Sequence, residues 1–311
     1  MPYITTHEPN GETLYNIAAV ERDTGLSKDT LRVWERRYGF PQPLRDNNDE
    51  RLYPQDQLDK LRRIRHLMDH GQRPSKLIHL NAEELAQLMT RGAEYREPPA
   101  AVAEILRLLL AHDIEGFRGA LLQQLMKQGL QRFVCDTVAH LNFWIGDAWL
   151  HGKLAIFDEH LYSEHLQNIL RNAILEQPGR GGAPRFLLTT VPGEKHRIGL
   201  LMVEAMLCIE GAACVALGNE TPIPDIRDGA LALRADVVAL SFSAAIPTQT
   251  ALAGLQELRA VLPKEIAIWA GGGALGRCRK APEGVTMLRS LEEIPSALAN
   301  ARDTNRALQA A

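Results

Sequence analysis

The sequence predicts a multidomain chain: an N-terminal winged helix-turn-helix, a central four-helix bundle and a C-terminal doubly wound, Rossmann-like α/β sheet. Three observations carry this. Two short helical segments meet around Gly25 and Ser27 and precede a polar, turn-rich stretch. Apolar residues then recur at intervals of three or four between Pro98 and Glu176, and from Arg185 onward apolar runs alternate with leucine- and alanine-rich segments of helical length. The expected domains are 12–80, 98–177 and 185–299. Pro178 to Pro184 is the clearest linker, a softer one lies around Tyr95 to Pro99, and the tail after Ala299 is expected to fray.

The first two helices are expected at Tyr15 to Thr24 and Lys28 to Arg37, with Gly25 ending one and Ser27 capping the other. Lys28, Arg32, Arg36 and Arg37 gather positive charge on or beside the second helix, which suits phosphates and base edges in a major groove. Arg32 and Arg36, four residues apart, share one face. Leu31 and Trp34 are assigned to packing. Pro41 to Tyr53 reads as a polar hairpin or wing holding Arg45 and Arg51, followed by a helix from Gln55 to Asp69 and a turn at Gly71. The run T-L-R-V-W-E-R-R-Y-G-F at positions 30–40, with R-L-Y at 51–53, resembles the MerR family of winged-helix transcription regulators over about Leu14 to Leu80. The resemblance implies a double-stranded DNA operator, with Arg32 and Arg36 approaching the DNA and Tyr38 and Arg51 at its backbone. Members of that family dimerise through a long helix after this domain. Asn81 to Pro99 holds no extended heptad run, so assembly as a dimer or tetramer is expected to come mainly from the remainder of the chain.

In the central segment Ile105, Leu108, Leu109, Phe117, Leu121, Leu125, Val134, Val138 and Leu141 mark helix faces that turn inward. The same segment contains Trp149, Glu159 and His160, a W-x9-EH pattern. Ten residues of helix would separate Trp149 from Glu159 by about 15 Å, so a turn at His151, Gly152 and Lys153 is expected to direct both ends toward one pocket.

Strands are expected at Phe186 to Val191, Cys214 to Leu217, Val237 to Leu240, Ile266 to Trp269 and Val285 to Met287. In the order 2-1-3-4-5, the ends of the first and third strands flank the crevice where open α/β sheets hold their ligands. The first strand leads into Glu194, His196 and Gly199, an E-x-H-x-x-G run; the third leads into Ser241, Phe242 and Ser243; and the fourth into Gly271, Gly272 and Gly273. A neutral imidazole is a good axial donor to a transition metal, and a carboxylate on its other ring nitrogen fixes the tautomer and raises its basicity. The bare glycines offer backbone against which a bulky group can lie.

This spacing resembles the cobalamin-binding domain family over roughly Arg185 to Met287. The resemblance implies His196 as the lower axial ligand of cobalt, Glu194 as its acid partner, Ser241 and Ser243 as the serine motif, and Gly271 and Gly272 beside a buried nucleotide tail. In that family the dimethylbenzimidazole leaves cobalt and the histidine replaces it. Ser243 stands where the family often has a larger residue. Joined to the upstream W-x9-EH segment, the chain resembles the light-sensing, adenosylcobalamin-dependent repressors. Trp149 would then cap the upper face of the corrin, with Glu159 and His160 lining the same cavity. That family places a histidine directly after the tryptophan, where this chain has Leu150, and His151 points about 100° away on a helix. After loss of the adenosyl group, His151, water or no protein ligand would occupy the upper face.

Composition bounds the alternatives. The 311 residues allow two or three domains, and 45% apolar content supports real cores. The formal charge of -3 requires DNA affinity to come from local basic faces. No stretch has membrane-spanning length and no secretory leader is visible, so a cytoplasmic protein without a membrane partner is expected. Cys135, Cys208, Cys214 and Cys278 are dispersed, which argues against a zinc or iron–sulfur site. No enzyme activity is expected: a cobalamin mutase needs a barrel-sized substrate domain, and a corrinoid methyl carrier has no use for a winged helix. A regulator whose sensory domain has lost its ligand or its light response is the remaining alternative.

Overall fold

The computed structural model describes residues 13–46, 48–69, 72–90, 97–150, 153–178, 181–276, 278 and 280–310. The expected turns at Gly71 and at His151 and Gly152 lie outside them, as do parts of both expected linkers. The chain divides into two compact units, Met1–Glu97 with Gly146–Ala155, and Pro98–Ile145 with Ile156–Ala311.

The first unit opens on a strand, β1 (Leu14–Asn16), where the sequence predicts the start of a helix. Tyr15 pairs with Tyr53, and Asn16 leaves the strand to cap α1 (Ile17–Thr24), its side chain accepting from the Ala19 amide at 2.8 Å. Such a cap stabilises a helix by about 1 kcal/mol, which fixes the helix start at Ile17. Gly25, at φ 67°, ends α1, and Ser27 caps α2 (Lys28–Tyr38) by accepting from the Thr30 amide. The wing is β2 (Leu44–Arg45) and β3 (Arg51–Pro54), in a three-stranded antiparallel sheet of order β1-β3-β2. α3 (Gln55–Asp69), α4 (Pro74–Leu77) and α5 (Ala82–Thr90) follow. Leu31 and Trp34 of α2 are buried with Val20, Tyr53, Leu58 and Leu61, so their apolar faces are unavailable to DNA.

The second unit contains α6 (Ala100–Leu110), α7 (Ile114–Arg132), α8 (Ala139–Leu150, up to Ile145) and α9 (Ile156–Leu175). α7 is broken at Gly129, whose φ of 73° and ψ of 163° are non-helical, and a π-helical turn at Phe133–Val138 leads into α8. The predicted inward positions are buried, apart from Leu125, which is half-buried. The sheet follows: β4 (Gly182–Thr189), α10 (Ile198–Ile209), β5 (Ala212–Gly218), α11 (Ile223–Ala232), β6 (Val237–Ser241), α12 (Thr248–Val261), β7 (Ala267–Gly271), β8 (Val285–Leu288) and α13 (Ile294–Ala310). All pairs are parallel and the order is β5-β4-β6-β7-β8, a 2-1-3-4-5 arrangement that puts the ends of the first and third strands side by side. Phe186, Leu187, Leu188, Val238 and Ile268 are fully buried, as expected of parallel strands covered on both faces.

Two contacts align the helices over the sheet. The Cys135 thiol lies 3.9 Å from the Met206 sulfur, and Asn142 Nδ2 lies 3.3 Å from the Met202 sulfur. Over these residues the helical run descends α10 toward the end where His196 sits. Tyr162 of α9, fully buried, donates to Asn142 Oδ1 at 2.6 Å and locks the same layer. Among the described residues no helix is long and apolar enough to cross a membrane.

The three-glycine segment after β7 sets how closely two site loops approach. Gly272 has φ 108°, and a methyl group on it would overlap the Phe242 carbonyl oxygen; Gly273 lies against Ala244, and a methyl on Gly271 would stand 2.8 Å from the Leu288 carbonyl oxygen. The space left by the missing side chains is therefore filled by protein backbone. Gly272→Ala should destabilise the fold by about 1–3 kcal/mol or more through backbone strain alone. Denaturant unfolding checks this, and a midpoint equal to wild type would contradict it.

Candidate functional site

The E-x-H-x-x-G loop is organised around one buried carboxylate. Glu194 is only 1% exposed. Its Oε1 accepts from the His196 amide at 2.9 Å and pairs with His196 Nδ1 at 2.8 Å. Its Oε2 accepts from the Ser243 amide at 2.7 Å and from the Ser243 hydroxyl at 2.8 Å. A buried carboxylate is tolerated only when paired and hydrogen-bonded in this way. Thr190 holds the loop from below: its hydroxyl donates to the Glu194 carbonyl at 2.7 Å and accepts from the Glu220 amide at 2.9 Å. Sequence reading missed Thr190; a hydroxyl residue four positions before the acid, at a strand end, was the available signal.

The carboxylate sets the state of the imidazole. Burial pushes the Glu194 carboxyl up, but the hydrogen bonds and charge of His196 and the Ser243 hydroxyl outweigh it and hold Glu194 below its ordinary value. For His196, the hydrogen bond to Glu194 raises the pKa, desolvation opposes it, and the charges of Glu194 and then Glu159 raise it further. Ser243 Oγ stands 3.0 Å from the same Nδ1. With Nδ1 held on that side, Nε2 is left as the donor atom of a ring whose side chain is 55% exposed. This is the donor set an axial ligand needs: the metal-facing nitrogen open, the other fixed by an acid.

Ser241 and Gly199 have a different relation from the one the sequence suggests. Ser241 is buried, and its hydroxyl lies 2.5 Å from where a side chain on Gly199 would begin. Gly199 thus lets the head of α10 close onto the end of β6. Glu159 accepts from Ser163 at 2.5 Å and lies 3.5 Å from His160 Nδ1, while His160 is largely exposed. The charge of Glu159 adds to the upward push on the His196 pKa, while the partners that hold Glu159 are Ser163 and His160. A cavity of about 420 Å³ between α7 and α9, lined by Arg118, Leu125, His165 and Glu176 among others, includes none of these residues. Trp149 belongs to the first unit, where its ring lies 4.7 Å from the Arg62 guanidinium carbon.

On α2, Arg32, Arg36 and Arg37 are exposed, and Arg32 holds only a surface pair with Asp29 at 3.2 Å. Lys28 lies 3.8 Å from Glu21. Arg45 on the wing pairs with Asp49 at 3.0 Å. Arg51 is engaged inside the unit: its Nε donates to Glu35 at 2.8 Å, tying the wing to α2. Tyr38 is half-buried and meets His79 edge-on, with Arg37 over its ring. Val33 is exposed between the arginines, an apolar side chain suited to a thymine methyl that the charge pattern alone did not single out.

Residues 15–83 match the family model described as MerR HTH family regulatory protein. The chain is 31% identical over 265 residues to the HTH-type transcriptional repressor CarA of Myxococcus xanthus, spanning 84% of this chain and 86% of that one. It is 29% identical over 270 residues to the repressor CarH of the same organism, spanning 85% and 90%. Among solved structures, the monomethylamine corrinoid protein of Methanosarcina barkeri superposes with a TM-score of 0.51 at 14% identity, over 64% of this chain and 97% of that one; this likeness is one of fold. The alignments with the two repressors span most of each chain. The chain belongs to the family of MerR-type, DNA-binding transcriptional regulators that includes CarA.

Proposed function

We propose that this regulator binds adenosylcobalamin through His196, and that occupancy controls its self-association and its hold on an operator. The observation that carries the reading is the imidazole, with Nδ1 clamped by a buried carboxylate and Nε2 open at the carboxyl edge of β4 and β6. Two likenesses support it: the fold shared with a corrinoid protein and the alignment with two repressors over 84–85% of the chain. When bound, the corrinoid supplies a broad planar face and a light-labile cobalt–carbon bond. The chain contributes Glu194 and Ser243, which orient His196, and Glu159, which holds negative charge near it. By resemblance, Trp149 and His160 would complete the upper side, and Ser241, Gly271 and Gly272 the tail side. Leu150 after Trp149 leaves no histidine directly beside the indole to hold an illuminated state. The operator face is Lys28, Arg32, Arg36 and Arg37 on α2 with Arg45 on the wing, the assembly is a homo-oligomer, and the chain works in the cytoplasm.

His196→Ala should convert the visible spectrum of the bound cofactor from a histidine-ligated to a histidine-free form and weaken binding; an unchanged spectrum overturns the assignment. Size-exclusion chromatography with light scattering on apo, dark-loaded and illuminated protein tests the switch. A mass change on loading supports cofactor control, and a further change on illumination supports photoreception.

Glu194→Gln in the free chain should lower the His196 pKa, which ring-proton NMR across pH will follow. The sign is fixed by the pairing. His196, raised above 6.5, contributes stability that is complete below that value and lost as pH rises through its folded pKa. Glu194, lowered below 4.5, contributes above that value and fades as pH falls through its own folded pKa. An unmoved His196 titration would show that the pair is not coupled.

Replacing Arg32 or Arg36 by Ala should weaken operator binding by roughly 1–3 kcal/mol if each makes a bidentate base contact. Gel-shift titrations on specific and scrambled duplexes at fixed salt measure it. Equal wild-type binding to both duplexes would contradict operator recognition.

A further inference from the structure

Arg62 is the most thoroughly held cation described in the first unit. Its side chain is 5% exposed, its Nε and Nη2 each lie 2.7 Å from an Asp23 oxygen, and its Nη1 lies 2.9 Å from Asp59. All three nitrogens of the guanidinium are thereby engaged in its own plane by acids from α1 and α3. The guanidinium carbon also lies over the Trp149 ring, 4.7 Å from its centroid. Indole is the strongest aromatic partner for a cation, and a planar guanidinium is the cation best shaped to stack on it. The surrounding segment is sorted the same way: Gly146–Ala155 clusters with the amino-terminal residues, and Leu154 within it is 2% exposed. Glu159, His160 and His196 belong to the other unit.

We propose that Arg62, braced by Asp23 and Asp59, is a second seat for Trp149: the indole docks on the DNA-binding unit, and a corrinoid at His196 would compete with Arg62 for it. The exchange rests on the reading that Trp149 caps the cofactor. Docking on Arg62 lowers the fraction of chains with a free indole, and apparent cofactor affinity falls by that fraction. Reciprocally, departure of the Trp149 indole would uncover the ion cluster that joins α1 to α3, and α1 is the helix leading into α2. Occupancy of the sensory unit is thus felt in the DNA-binding unit through one side chain, by differential affinity rather than by a rigid linkage.

The test is a dark titration of full-length protein with adenosylcobalamin, comparing wild type with Arg62→Lys. Lysine keeps the charge opposite Asp23 and Asp59 but has no flat face. The variant should bind the cofactor about two- to thirtyfold more tightly, the factor expected for removing a cation–π competitor. Equal or weaker binding by the variant overturns the exchange, and weaker binding would identify Arg62 as a support for the cap instead. A wild-type chain that takes up no adenosylcobalamin defeats the cofactor reading itself, a separate failure visible without any variant. Should Arg62→Lys fold poorly, hydrogen exchange on wild type decides. Peptides carrying Asp23 and Arg62 should exchange faster after dark loading, and unchanged or slower exchange overturns the proposal.

Discussion

The second unit depends on satisfying the buried Glu194 carboxylate. At 1% exposure, an ionised carboxylate is tolerable only because the His196 amide and ring and the Ser243 amide and hydroxyl all point at it. Those groups come from the loop after β4 and the loop after β6, so neutralising one charge fixes the distance between two strand ends. The same bonds choose which imidazole nitrogen faces outward. Loop geometry and ligand chemistry are thus set by one set of hydrogen bonds, and removal of any donor disturbs both.

Close packing around that cluster is obtained by leaving side chains out. Gly199 admits the Ser241 hydroxyl against the head of α10, and Gly272 admits the Phe242 backbone against the loop after β7. Both glycines read in the sequence as room for a ligand. In the fold their missing side chains are replaced by protein atoms, and a positive φ at Gly272 adds a backbone reason for the choice. The His196 imidazole, by contrast, keeps a largely exposed ring whose orientation follows from the pairing of Nδ1 with Glu194.

The DNA-binding unit is organised by the opposite charge. Arg62 is buried between Asp23 and Asp59, so α1 and α3 are joined by an ion cluster as well as by the core of Val20, Leu58 and Leu61. Pairing also redistributes the predicted basic face. Arg51 is drawn inward by Glu35 and braces the wing, whereas Arg32, Arg36 and Arg37 remain exposed on α2. Charge counting could not tell an arginine that braces the wing from one left exposed on α2, since the difference lies in a partner sixteen positions away.

By itself the sequence determined what short-range physics encodes. Caps and turn glycines at Ser27 and Gly25 placed the helix-turn-helix, apolar periodicity placed the bundle, and short apolar runs placed five strands. The Glu194 and His196 pairing was legible because two residues of loop separate little in space. Tertiary structure alone decided the rest. Residues 14–16 became a strand because β3 offered a hydrogen-bonding edge that outweighed local helical pattern. Trp149 met Arg62, and Ser243 completed the Glu194 cluster, because burial and charge pairing act between residues far apart in the chain, where spacing carries no information.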